Sequence, residues 1–368
     1  MNDETSSAIR PHSIAELGQC THDHIHEPND VKSLKKVRNT NIEILRLVLL
    51  TAICFWHVIM HGYGFKDIGH EGFCYNGNMG ALSFYLALFS PAVYCFMFIS
   101  GWYGIKFSTR KFGFLAFCGF SCFVLSMLIR YSVGDPATIS YMVSHLLPIS
   151  CGNWWFLTNY ALVFLVAPFI DCGLERMDKK TVRTIICIMT FIELLNLLSS
   201  TYHLGSNFYG LLYVYTLSRF MRIVGFHCSK RMLLCAYFLS LLLLWGLCYF
   251  FSLLPGDGVR LSFRILAYNN PLIIIMAAAI FLIVKDMKPR YCERANTLLS
   301  NVLVIYLLTE GIGRRLYQYE ASLFNQNFAL GMLSVIVSVI SCLIIGNCIS
   351  IFFERLVGLS QKLKQKSH

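Results

Sequence analysis

The sequence predicts an all-α integral membrane protein: a bundle of about ten transmembrane helices with both termini in the cytoplasm. Three observations support this. Hydrophobic residues fill 56% of the 368 positions and charged residues only 14%, whereas about 25% of a soluble domain is charged. Apolar windows of about 20 residues, the length that crosses a bilayer core, recur along the chain. Basic residues gather between alternate windows, on one side only.

Taken in order, the windows fall near 42–61, 82–105, 112–129, 154–171, 184–200, 208–226, 232–254, 268–285, 298–317 and 330–353. Glu193, Asn196, Arg219 and Arg222 interrupt the fifth and sixth. With the N-terminus inside, the cytoplasmic segments ("VKSLKKVR", "KFSTRK", "LERMDKKTVR", "SKR", "KDMKPRYCER", "ERLVGLSQKLKQK") hold 21 of the 31 Lys and Arg residues. The outer loops hold four: Lys66, Arg130, Arg260 and Arg264. A wrong helix count would spoil that asymmetry. The outer loops are short, so one transmembrane domain is expected over 38–357. It is preceded by a polar, disordered cytoplasmic tail (1–37) and followed by a basic one (358–368). The first 37 residues contain no long apolar stretch, so no cleavable signal peptide is expected.

The net charge of +11 does not imply nucleic acid, because the cations lie in short clusters beside apolar runs. Most of the 15 cysteines sit inside apolar windows, where they read as small buried residues rather than a disulfide framework. No metal-type spacing occurs; "HDHIH" (His22, His24, His26) sits in the polar tail. Neither a metal nor a tightly bound cofactor is expected.

The first window holds "RLVLLTAICFWH", from Arg46 to His57. An ionised group at mid-bilayer costs on the order of 2.5–3.5 kcal/mol, so such residues are functional candidates. Eleven residues make about three turns plus 20°, which places both side chains on one helix face, about 16 Å apart. An arginine at the inner mouth suits an anionic ligand, and its planar fork suits phosphate. A deeper histidine suits general-base work. The alternative is a snorkelling arginine and a hydrogen-bonded structural histidine.

The spacing, preceded by "NIEILR", resembles the first-helix signature of the acyltransferase-3 family of multipass membrane acyltransferases. "YCFMFISGWYGIKFSTRKF" (94–112) is similar to that family's second-helix stretch and basic turn. "NWWFLTNYALVFLVAPFID" (153–171), "AYNNPLIIIMAAAIFLI" (267–283) and "NVLVIYLLTEG" (301–311) resemble later helices. Relatives commonly carry Tyr-Leu-x-His in the ninth helix; here Tyr306-Leu307-Leu308 is followed by Thr309 and Glu310. Either Glu310 substitutes for that histidine, or it pairs with Arg314 one turn on.

The resemblance implies transfer of an acyl group, usually acetyl from acetyl-CoA, to a hydroxyl of an exported or cell-surface carbohydrate at the cell membrane. His57 would act as base, either directly or through an acyl-histidine. Arg46 would act with it and, with Arg110 and Lys111, hold the coenzyme phosphates. Partners would be acyl-CoA, a carbohydrate or lipid-linked glycan acceptor, and membrane lipid.

Four further positions are candidates for lining the substrate: Ser100, Trp155, Tyr160 and Glu310. Ser100-Gly101 also reads as close packing of the first two helices. Trp154, Trp155 and Tyr160 also read as an interfacial aromatic belt. Glu193 and Asn196 are expected either to pair with Arg219 and Arg222 or to line a substrate path. The competing function is a transporter or flippase of a glycan or lipid-linked sugar, but no inverted repeat is visible. A glycan polymerase would need a large outer loop.

Overall fold

The computed structural model describes residues 38–65, 79–135, 137–144, 146–150, 152, 154–198, 205–254 and 258–366. The polar N-terminal tail, with His22, His24 and His26, lies outside the described residues. From Arg38 onward the chain forms one compact unit. It is an all-α integral membrane protein, with no strand among the described residues.

Fifteen α-helices follow one another: α1 Thr40–His57, α2 Met79–Phe89, α3 Ala92–Tyr103, α4 Thr109–Ser132, α5 Ile139–Ser144, α6 Trp155–Arg176, α7 Lys179–Leu198, α8 Phe208–Ile223, α9 Lys230–Ser252, α10 Gly258–Ile265, α11 Pro271–Lys285, α12 Glu293–Leu298, α13 Leu303–Ile312, α14 Arg314–Gln326 and α15 Phe328–Lys366. Some of them join into longer rods, and eight of the resulting segments are long and apolar enough to cross a membrane. Among the described residues, each of the ten sequence windows contains helix. The other two, α8 and α11, have 16 and 15 residues, about 24 and 22 Å, short of the ~30 Å hydrocarbon layer.

Local chemistry sets several starts. Asn39 caps α1 by accepting from Asn41 N at 3.1 Å. Asn207 caps α8 through Gly210 N at 2.8 Å. Asn270 caps α11 through Leu272 N at 2.9 Å, with Pro271 preset for the first turn. Ser90-Pro91 divides the second window into α2 and α3.

The ninth window does not run unbroken over 298–317. Gly313, at φ 80°, ends α13 in a conformation that β-carbon residues rarely adopt, and α14 sets off in a new direction. The last helix continues past 357 to Lys366, so the C-terminal basic segment is an extension of it.

α3 packs against α1, α8 and α11. Gly101 faces α8 rather than α1: a β-carbon there would strike the Tyr215 carbonyl and Ser218. Ser218 Oγ donates to the Phe98 carbonyl across this crossing at 2.7 Å. The small residue therefore serves α3–α8 packing, not the α1–α3 contact.

The twelve cysteines among the described residues are free thiols, six of them buried in the bundle (Cys54, Cys95, Cys118, Cys122, Cys248 and Cys342). Adding reductant is therefore expected to leave the thermal transition unchanged within about 1 °C; a large downward shift in a melting scan would contradict that.

Candidate functional site

α1 carries a stripe at i, i+4, i+7 and i+11: Arg46, Leu50, Ile53 and His57. Immediately after His57 the helix widens into a π turn, Val58–Gly62, closed by Tyr63 N donating to the Val58 carbonyl at 2.9 Å. Such turns concentrate at functional sites. Here it brings His61 round beside His57, with ring centroids 5.6 Å apart. It also lets α14 approach, since a β-carbon on Gly62 would strike the Tyr317 carbonyl.

The break at Gly313 places Tyr317 of α14 and Glu310 of α13 on one histidine nitrogen. His57 Nδ1 lies 3.0 Å from Glu310 Oε2 and 2.9 Å from the Tyr317 hydroxyl. Tyr317 in turn donates to Glu310 Oε2 at 3.1 Å. An ionised carboxylate only accepts, so it takes one proton from Tyr317 and one from His57 Nδ1. In the neutral ring this arrangement puts the proton on Nδ1 and the lone pair on the other nitrogen, Nε2. His57 and Tyr317 are both buried.

His57 lines a narrow cavity with Leu50, Ile53, Trp155, Tyr268 and Tyr306. It offers about 30 Å³, where a single water needs roughly 10–15 Å³. A larger cavity of about 370 Å³ opens toward the Arg46 end. Arg38, Arg46, Lys106 and Lys111 line it, together with Ser100, Tyr160, Ser300 and Asn301. Leu303 lines both cavities. Phe156 of the first and Tyr160 of the second stack at 5.7 Å. Residues of α1, α3, α6 and α13 line both cavities.

Most of the residues singled out from sequence meet at these two cavities. Arg46 keeps part of its guanidinium on the buried Glu43, at 3.2 Å, and presents the remainder to the larger cavity. Lys111 lines that cavity, but Arg110 turns away to an ion pair with Glu354. Trp155 and Tyr160 face the bundle interior instead of forming a lipid-facing belt, and Trp154 is buried. Trp155 is already covered by Tyr268 at 5.3 Å. Glu310 reaches His57 and Tyr317 two turns along, where sequence reading had weighed Arg314.

Sequence reading missed Tyr317, Tyr268, Arg38 and Lys106. Tyr317 lies beyond the break at Gly313, so helical spacing from Glu310 carried no signal for it. Arg219 does not meet Glu193: it pairs with Asp171 at 3.3 Å and Glu175 at 2.8 Å. Arg222 donates to the Trp102 carbonyl at 2.5 Å. No group of metal-ligating side chains occurs among the described residues.

The family model described as an acyltransferase domain matches residues 39–347. That range contains α1 through the first half of α15, with Arg46, His57 and Glu310 all inside it. No match was found among curated proteins or among solved structures. With that match covering most of its length, the chain belongs to the acyltransferase-3 family of membrane acyltransferases.

Proposed function

We propose that this membrane acyltransferase moves an acetyl group from acetyl-CoA to a hydroxyl of a cell-surface or exported carbohydrate, with the Arg46 end facing the cytoplasm of a cell membrane. One observation supports this most: His57 lines a small cavity, and a larger one that shares Leu303 with it is lined by four cations. Coenzyme A carries phosphates at one end and its thioester at the other. Arg38, Arg46, Lys106 and Lys111 suit the phosphates, the arginines through their planar forks. The pantetheine arm would pass Leu303 to bring the thioester to His57. The space beside His57 suits two or three heavy atoms, which favours acetyl over a longer acyl chain.

The acceptor hydroxyl oxygen attacks the thioester carbonyl carbon while its proton passes to His57 Nε2. The tetrahedral intermediate collapses, the C–S bond breaks, and the imidazolium returns the proton to the departing thiolate. Ester and free CoA result, with no net proton change. Glu310 and Tyr317 hold the ring in the required tautomer, and the carboxylate stabilises the imidazolium as it forms. Tyr268, Tyr306 and Trp155 line the cavity and carry donors that would suit the developing oxyanion.

Arg46→Lys tests the donor end. The substitution keeps the charge but loses the fork, so the KM for acetyl-CoA should rise about tenfold while kcat falls less than threefold. Steady-state thiol release would measure both. A fall in kcat alone would place Arg46 outside the phosphate site.

A further inference from the structure

Two helices carry the same order of residues from the cationic cavity to the small one. On α1 it runs Arg46, Leu50, Ile53, His57. On α3 it runs Ser100, Phe96, Val93, at i, i−4 and i−7 on one face. Arg46 and Ser100 line the larger cavity, and Leu50, Ile53, Phe96 and Val93 line the smaller one. Leu303, shared by both, marks the donor side. Val93 is therefore the lining residue of α3 farthest along the helix from the cations, and Ile53 stands one turn before His57, about 6 Å along α1.

The other residues around the small cavity have other duties. His57 supplies the base, and Tyr268, Tyr306 and Trp155 carry donors. The rings hold one another: Phe156 meets Tyr306 edge-on at 6.1 Å, and Trp155 lies against Tyr268 at 5.3 Å. Ile53 and Val93 remain as aliphatic wall beyond the donor side. Both are buried, at 9% and 7% exposed. Both are β-branched, so each has one strongly preferred rotamer in a helix and does not swing aside. The backbone beside Val93 is held as well, because its neighbour Tyr94 donates to the Gly205 carbonyl at 3.1 Å and stacks on Tyr268 at 5.8 Å. A wall so fixed, around about 30 Å³, resists even one added methylene.

We infer that Ile53 and Val93 set the length of the acyl chain: they receive the methyl of an acetyl group and leave no room for the next carbon. This rests on the acyl-transfer reading above. A charged chain fares no better than a long one. Among the described residues no Lys or Arg lines the small cavity, and Glu310 lies 3.0 Å from the His57 ring. The carboxylate of a succinyl group would thus be buried beside another carboxylate.

The test uses the full chain in membranes that carry its native glycan, with acetyl-, propionyl- and butyryl-CoA as donors, each radiolabelled in the acyl group. Base-labile label in the glycan gives kcat/KM for each donor. One methylene in an apolar pocket is worth about 10–200-fold, so the wild-type protein should prefer acetyl over propionyl at least tenfold. Ile53→Ala and Val93→Ala should each lower that preference about tenfold, and the milder Ile53→Val about threefold. Val93→Ile should do the reverse, weakening acetyl transfer about tenfold while keeping the rise in Tm that CoA binding gives. A variant that is only destabilised loses all donors together and leaves their ratio alone. An unchanged ratio in the variants that enlarge the cavity would overturn the wall, and Ile53→Val reads that ratio even if the alanine variants fail to insert. Full acetyl transfer by Val93→Ile, or equal use of acetyl and propionyl by the wild-type protein, would overturn it too. If the wild-type protein labels glycan from none of the three donors, the acyl-transfer reading fails instead.

Discussion

His57→Ala should lower acyl transfer by about 10²–10⁴-fold, the usual cost of removing a general base. Inserted protein and acetyl-CoA affinity should stay near wild type. The residue lies at the end of α1, where it makes no ion pair with the donor cavity and lends nothing to the apolar length of the span. Its Nδ1 is fixed by Glu310 and Tyr317, so the substitution removes the base and leaves the oxyanion donors in place. The loss should therefore appear in kcat, with the KM for acetyl-CoA within about threefold. Radiolabel in the glycan at fixed protein level is the measurement. Near-normal ester formation would reduce the Arg46–His57 face to a structural role.

Glu310→Gln should be almost as damaging, at about 10²–10⁴-fold in kcat, by analogy with neutralising the carboxylate of a histidine–carboxylate pair. The amide fits the same space but has no charge to offset the imidazolium. It also brings donors that compete with His57 and Tyr317 for the shared position, so the proton on Nδ1 is no longer fixed. Tyr317→Phe removes one hydrogen bond and keeps the charge, so it should cost much less, about tenfold. If Glu310→Gln and Tyr317→Phe fall equally, the carboxylate contributes no more than a hydrogen bond to ring position.

The membrane architecture was legible because bilayer thickness imposes a length on every span, and because phosphate-rich and apolar surroundings sort residue types along the chain. The Arg46–His57 stripe was legible for a similar reason: it lies within one regular helix, where spacing alone fixes the face. The remainder of the site depends on departures from regularity. Glycine is common inside membrane helices, so nothing in an apolar run distinguished Gly313, which breaks the helix, from Gly311, which does not. Without that break, Tyr317 could not be seen to reach His57, and Arg314 looked as near to Glu310 as any partner.

Contacts between helices were the least legible. Pairing Glu193 with Arg219 satisfied charge arithmetic, but the rotation of α8 presents Arg219 to Asp171 and Glu175 on α6 instead. The same rotation determines that Gly101 serves α8 rather than α1. Lys111 and Arg110 are neighbours in sequence, yet successive residues on α4 point about 100° apart. Lys111 lines the cationic cavity and Arg110 meets Glu354 on α15.

The central claim is that a donor entering at the Arg46 end delivers its acyl group at His57. Sealed inside-out membrane vesicles, which expose the cytoplasmic face to the medium, test it directly when given acetyl-CoA with a radiolabelled acetyl group. CoA does not cross an intact bilayer, so label can reach the glycan only from the side that holds the donor. The account predicts base-labile label in the glycan of these vesicles, little in right-side-out vesicles, and at least a hundredfold less with His57→Ala. Labelling from the opposite face, or labelling that survives loss of His57, would contradict it.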